Sequence, residues 1–244
     1  AVTGIQSDAS IEMDGSVTLG YAIRGTLVGG YSVACVKDDL VDDSPAIFTV
    51  TPGVVSQSAT VVEPATVKPD ETFSVSCVVT DVHGNTVDGQ ESAFFVAQGD
   101  GTSSMDVVAL QDDGSYRIEV AGSYYVFCYV PGTLAGDESP VLLTVEPGPP
   151  YSWEVALATE DCFGTNKVLP LDIEVYDAWN NLIEAPPLQI SFTPDTGISL
   201  QDDGSYLIES EGTYVVGVDI AATDLASGAT ITAQTLNFTV DALG

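Results

Sequence analysis

Leu110-Gln-Asp-Asp-Gly-Ser-Tyr116 recurs letter for letter as Leu200-Gln-Asp-Asp-Gly-Ser-Tyr206. Each copy is followed at the same offset by Gly-x-Tyr, as Gly122-Ser-Tyr124 and Gly212-Thr-Tyr214. Upstream, Val79-Thr-Asp-Val-His-Gly-Asn85 parallels Val175-Tyr-Asp-Ala-Trp-Asn-Asn181. A seven-residue identity in register with two flanking matches marks tandem units, which we bound at 53–147 and 148–244. A partial third copy stands in front. Gly29-Gly-Tyr31-Ser-Val-Ala-Cys35 matches Gly122-Ser-Tyr124-Tyr-Val-Phe-Cys128, and Ile47-Phe-Thr-Val-Thr-Pro-Gly53 matches Leu142-Leu-Thr-Val-Glu-Pro-Gly148. Residues 1–52 therefore read as the C-terminal half of a unit, completed by a missing segment or by another chain.

Within each unit the pattern is short alternating segments separated by turn residues. Phe73, Val75, Cys77 and Val79 share one parity, with Ser74 and Ser76 on the other. Leu171, Ile173 and Val175 alternate with Asp172 and Glu174, and Tyr214, Val216 and Val218 follow the same rule. A period of two places alternate side chains on opposite faces of a strand. About seven such segments per unit, with no helical period, predict an all-β chain of tandem two-layer sandwiches.

The strand-end motif Asp81-Val-His-Gly-Asn85, then Asp-Asp-Gly-Ser-Tyr, then Gly-x-Tyr-x-Val resembles the filamin- and invasin-like immunoglobulin-like repeats of bacterial surface proteins. The resemblance covers both full units and part of residues 1–52. It implies tandem immunoglobulin-like β-sandwiches and places Cys77 and Cys128 on the two strands that carry the inter-sheet disulfide of such domains. Cys35 and Cys162 then remain as unpaired, intermolecular or mutually bridged thiols. The resemblance is compatible with a spacer, an adhesin or a binding module, because fold alone does not assign function.

Five Lys+Arg against 36 Asp+Glu give a net charge of −31. Such a chain repels nucleic-acid phosphates and anionic headgroups. No run of eighteen apolar residues exists for a membrane-spanning helix. The one histidine, His83, excludes zinc sites built on two or more histidines, and no nucleophile motif accompanies it. High ionic strength or divalent cations relieve the self-repulsion of so acidic a surface, which fits an exterior environment. The four widely spaced cysteines fit an oxidising compartment better than a metal site.

Three sets of candidate residues follow. No cofactor is required, but Asp81, Asp113, Asp177 and Asp203 are calcium-ligand candidates, because calcium takes several carboxylate and carbonyl oxygens. The competing reading of these aspartates is turn capping through side-chain-to-backbone bonds. Trp153 and Trp179 are candidates for glycan or partner contact through aromatic stacking. Residues 1–52 are the candidate surface for a protein partner or self-association, since open strand edges invite pairing. The functional expectation is a non-enzymatic extracellular structural or adhesive protein, with assembly through completion of the half unit. The alternative is a glycan- or receptor-binding module of a cell-surface adhesin.

Overall fold

A computed structural model describes residues 11–14, 22–34, 36–37, 40–41, 43–133, 135–137, 139–158, 163–184, 186–221, 224–226, 229 and 234–241. Among the described residues there is no α-helix, and Met105–Val107 forms a turn of 3-10 helix. The alternation read from the sequence becomes burial. In strand Gly122–Tyr129 the side chains of Tyr124, Val126 and Cys128 are buried, and in strand Gly212–Ile220 those of Tyr214, Val216, Val218 and Ile220 are. The chain forms two compact units.

The first comprises 1–65, 73–108 and 123–143. Its strand Val55–Glu63 pairs antiparallel with Ser74–Asp81, with an irregularity between Val55 and Gln57. Strand Ala93–Gln98 pairs antiparallel with the strand that ends at Tyr129. Cys77 lies in one pair and Cys128 in the other, and their sulfurs are bonded, with Cα atoms 5.7 Å apart. The disulfide thus ties the two layers of a sandwich whose interior holds Val62, Phe73, Val79, Val96, Tyr124, Val126 and Leu143. The same unit contains the hairpin Gly29–Val33 with Ala46–Val50, and the pairs Ile11–Asp14 with Ala22–Gly25 and Val36–Lys37 with Leu40–Val41.

The second unit comprises 66–72, 109–122 and 144–244. One layer is Ser152–Leu157 against Leu171–Tyr176. The other is four-stranded, in the order Phe163–Gly164, Gln234–Asp241, Gly212–Ile220 and Leu188–Thr193, with Phe163–Gly164 parallel to its neighbour. Between them lie Trp153, Val175, Tyr214, Val216, Val218 and Phe238. Tyr214 stacks on Phe238 with ring centroids 5.6 Å apart. Ile173 and Val218 occupy the places of Cys77 and Cys128, so apolar packing replaces the disulfide here.

The compact units do not follow the sequence repeats. Ala109–Gly122, from the repeat bounded at 53–147, groups with 144–244. Hydrogen bonds of Asn181 tie Glu119 and Ala121 to that unit, and those of Asn85 tie Thr26 and Val28 to the first.

Candidate functional site

Strand Ser74–Asp81 ends on a buried aspartate, and the turn after Leu171–Tyr176 begins on one, Asp177; each residue is 2% exposed. Asp81 Oδ1 accepts the N–H groups of His83 at 2.8 Å and Asn85 at 3.0 Å. Its Oδ2 accepts the Asn85 carboxamide at 2.9 Å and the Gly53 N–H at 2.8 Å. Asp177 repeats this donor for donor: Trp179 N–H and Asn181 N–H on Oδ1, the Asn181 carboxamide and Gly148 N–H on Oδ2, all at 2.8 Å. The fourth residue of the turn has positive φ, +80° at Gly84 and +65° at Asn180. Glycine and asparagine are the residues that take that conformation at least cost, which explains why these two alternate there.

Each aspartate therefore pins the Pro-Gly that opens its own repeat, and the approach is tight. A Cβ at Gly148 would lie 3.3 Å from the Trp179 ring and 3.4 Å from Asp177 Oδ2. The asparagine faces the other way. Asn85 Oδ1 accepts the Val28 N–H at 2.9 Å and Asn85 Nδ2 donates to the Thr26 carbonyl at 2.7 Å. Asn181 Oδ1 accepts the Ala121 N–H and its Nδ2 donates to the Glu119 carbonyl, both at 2.8 Å. Both asparagines are nearly buried, at 9% and 8%. Thr26-Leu27-Val28 and Glu119-Val120-Ala121 are equivalent tripeptides, each lying just before a Gly-x-Tyr. The middle carbonyl of the first is held from its own repeat: the Tyr31 hydroxyl donates to Leu27 at 2.9 Å.

One carboxylate–carboxamide pair thus fastens three segments: its own turn, the Pro-Gly linker and the tripeptide of the preceding repeat. The clasp lies wholly inside the first compact unit in one case and inside the second in the other. Its electrostatics follow from the donors. The Asn85 carboxamide, then the Gly53 N–H, with smaller help from the Asn85 and His83 N–H groups, hold Asp81 well below the usual carboxylate range despite opposing desolvation.

This geometry corrects the calcium expectation. Asp81 and Asp177 have both oxygens filled by N–H donors, so they are capping anions without lone pairs directed at a cation. Asp113 Oδ1 accepts the Ser115 N–H at 2.9 Å and hydroxyl at 2.6 Å, and Asp203 does the same with Ser205 at 3.0 and 2.6 Å. The serine hydroxyl and then the serine N–H lower both carboxyls below the ordinary value. Among the described residues no group of three or more His, Cys, Asp or Glu is placed to hold a metal.

Trp153 is also corrected: it is buried in the core of the second unit, and its ring cannot serve as a glycan platform. Trp179 is half-buried beside Gly148 as part of the clasp. Cys35 and Cys162 lie outside the described residues. So do residues 1–10, 15–21, 38–39 and 42 of the half unit 1–52.

Sequence reasoning missed an exposed aromatic sheet face. Phe95 stands directly across from Phe127, and Tyr125 lies 6.4 Å from Phe127 by ring centroids. Phe95, Tyr125 and Tyr129 are 37%, 38% and 44% exposed, and Leu142 on the strand Val141–Val145 also points outward. The signal was that Tyr124-Tyr-Val-Phe-Cys-Tyr129 is apolar on both parities. The equivalent outward positions of the next repeat are Val215, Gly217 and Asp219.

No family model and no curated protein matches the chain. It is similar to bacterial adhesins and invasins of solved structure. Against the Escherichia coli adhesin FdeC it is 20% identical, covering 91% of this chain and 77% of that one, with a TM-score of 0.46. Against invasin, a bacterial integrin-binding protein, the values are 18%, 92%, 48% and 0.48. Against InvD of Yersinia pseudotuberculosis they are 16%, 91%, 81% and 0.44. The chain spans about half the length of that invasin structure. These likenesses are of fold, and the role of the clasp rests on this chain's own residues.

Proposed function

We propose that this is a non-enzymatic, extracellular structural and adhesive protein whose immunoglobulin-like repeats, 53–147 and 148–244 behind the partial unit 1–52, are coupled in series by the Asp–Asn clasp. The observation that carries this reading is the duplication of the clasp with the same atoms and nearly the same distances. A turn that only capped itself would have no need of the carboxamide reaching a segment some sixty residues away. Coupling at both junctions makes each joint a hydrogen-bonded seat instead of a free linker, which suits a protein that projects or connects. The Cys77–Cys128 bond supports an oxidising exterior. The aromatic face around Phe95, Tyr125 and Tyr129 supports adhesion to a protein partner, since exposed aromatic surface of this kind is the composition of interface centres.

Assembly through the half unit belongs to the same reading. Among the described residues strand Gly29–Val33 is paired with Ala46–Val50 alone, whereas its counterparts are also flanked by Ala93–Gln98 and Leu188–Thr193. A strand from another polypeptide fits that place by β-augmentation. Antibody raised against the folded chain tests the location: intact source cells should label without permeabilisation, and label that appears only after permeabilisation refutes it. Light scattering after size exclusion tests assembly, with a concentration-independent monomer as the refuting result.

A further inference from the structure

The tripeptide before each Gly-x-Tyr occurs a third time, as Glu209-Ser210-Glu211. Its middle carbonyl is held like that of the first. The Tyr214 hydroxyl donates to the Ser210 carbonyl at 3.0 Å, as Tyr31 does to Leu27 at 2.9 Å. The Glu209 and Ser210 N–H groups both reach the Gly197 carbonyl, at 2.7 and 3.3 Å. Gly197 is tight against this segment: a Cβ there would collide with Ser210 Oγ and the Tyr214 hydroxyl. The backbone is therefore fixed before any partner arrives. What is left over is the Glu209 carbonyl and the Glu211 N–H, which pair with no described residue, on a tripeptide exposed at all three positions. In the earlier tripeptides these are the two groups that the asparagine takes.

We infer that Glu209-Ser210-Glu211 is a docking site for the Asp-x-x-x-Asn turn of another immunoglobulin-like repeat, its carboxamide accepting from the Glu211 N–H and donating to the Glu209 carbonyl. An asparagine side chain offers one acceptor oxygen and two N–H donors, which matches an outward N–H and C=O two residues apart. The inference rests on the clasp being a joint between repeats. It also identifies the occupant more narrowly. Asp81 to Asn85 and Asp177 to Asn181 are the two Asp-x-x-x-Asn spacings in the 244 residues. Both carboxamides are already engaged within their own compact units. A second copy of this chain in the same conformation has no free asparagine turn to offer, so the occupant is a distinct repeat.

Charge sets a condition on the docking. In the second tripeptide Glu119 is paired with Arg117 at 2.6 Å, and the third has Leu207 at the place of Arg117. Glu211 stands where Val28 and Ala121 stand in the others. An arriving aspartate therefore meets uncompensated acid, and salt strengthens the docking by screening it.

Hydrogen exchange at single amides, read in about 0.5 M NaCl, tests the site. In the 244-residue chain the Ala121 amide should exchange slowly and the Glu211 amide fast. A second copy of residues 147–244 is then fused after Asp241, where Phe238-Thr-Val-Asp241 takes the place of Leu143-Thr-Val-Glu146. Exchange at Glu211 should slow by about tenfold or more, and Asn181→Ala in the appended copy should restore the fast rate. A second fusion carrying residues 52–147, with Asn85 as its clasp, should protect Glu211 in the same way. Slow exchange at Glu211 in the unfused chain overturns the proposal. So does fast exchange in both fusions while core amides of the appended repeats, such as Val216 and Val126, are protected as in the parent. The Ala121 amide separates the two levels: slow Ala121 with fast Glu211 defeats the docking site alone, whereas fast Ala121 defeats the clasp as well.

Discussion

Replacing Asn181 discriminates between a joint and a self-capped turn. Asn181→Ala removes the acceptor for the Ala121 N–H, the donor to the Glu119 carbonyl and one donor to Asp177. Two neutral bonds at about 1 kcal/mol each and one to a carboxylate at about 2 kcal/mol give a loss of ~4 kcal/mol, reduced to ~3 kcal/mol because water reaches the exposed Glu119. Asn181→Asp is nearly isosteric and separates shape from hydrogen bonding. It keeps an acceptor for Ala121 but replaces both donations with a carboxylate about 3 Å from the Asp177 carboxylate, where like charges repel strongly, and about 3 Å from the Glu119 carbonyl oxygen, where two acceptors meet. The expected order of stability at neutral pH is wild type, then Asn181→Ala, then Asn181→Asp. Both tryptophans, Trp153 and Trp179, lie in 148–244, so their fluorescence during urea unfolding follows that repeat. With a urea slope of about 1.5 kcal/mol/M, a ~3 kcal/mol loss moves the midpoint of Asn181→Ala by about 2 M. Lowering the pH toward 4 should recover part of the Asn181→Asp deficit as one carboxyl of the pair protonates. A midpoint shift below about 0.3 M for Asn181→Ala, or an Asn181→Asp protein as stable as Asn181→Ala at neutral pH, would refute the reasoning.

Opening the Cys77–Cys128 loop, with 51 residues of separation, by a double alanine replacement should cost the repeat at 53–147 about 4 kcal/mol on the chain-entropy account and leave the tryptophan-reported transition of 148–244 in place. Because its partners hold Asp81 below its ordinary value of 3.8, the stability it contributes is complete above the unfolded-state value and is lost as pH falls below about 4. The stability gap between wild type and Asp81→Asn, followed by denaturation at several pH values, should therefore shrink in acid; a gap that widens there contradicts the assignment. Glu154 faces Glu174 directly across the strand pair Ser152–Leu157 and Leu171–Tyr176. Glu154→Lys should raise the stability of 148–244 by about 0.5 kcal/mol in low salt, with the gain fading as salt is added.

What the sequence determined by itself is local. Period-two alternation such as Phe73, Val75, Cys77, Val79 fixes which side chains a strand must bury. The recurrence of Leu-Gln-Asp-Asp-Gly-Ser-Tyr fixes that the same unit is built twice. Asp-x-x-x-Asn is legible as a turn for the same reason, since an aspartate can cap backbone N–H groups two and four residues on.

Only the tertiary structure decided where the asparagine points. A carboxamide is satisfied equally by water, by its own turn or by a distant backbone, so nothing in the spacing assigns Asn85 to Thr26 and Val28 or Asn181 to Glu119 and Ala121. The same limit explains the two tryptophans, which look alike as letters. Trp153 alternates inward from the start of a strand, whereas Trp179 sits on a turn folded back over Gly148. It also explains the aromatic face, because a strand apolar on both parities does not reveal which side another layer will cover. Chain neighbours set the strand, but burial and long-range hydrogen bonding depend on which surfaces meet, and that is a property of the folded whole.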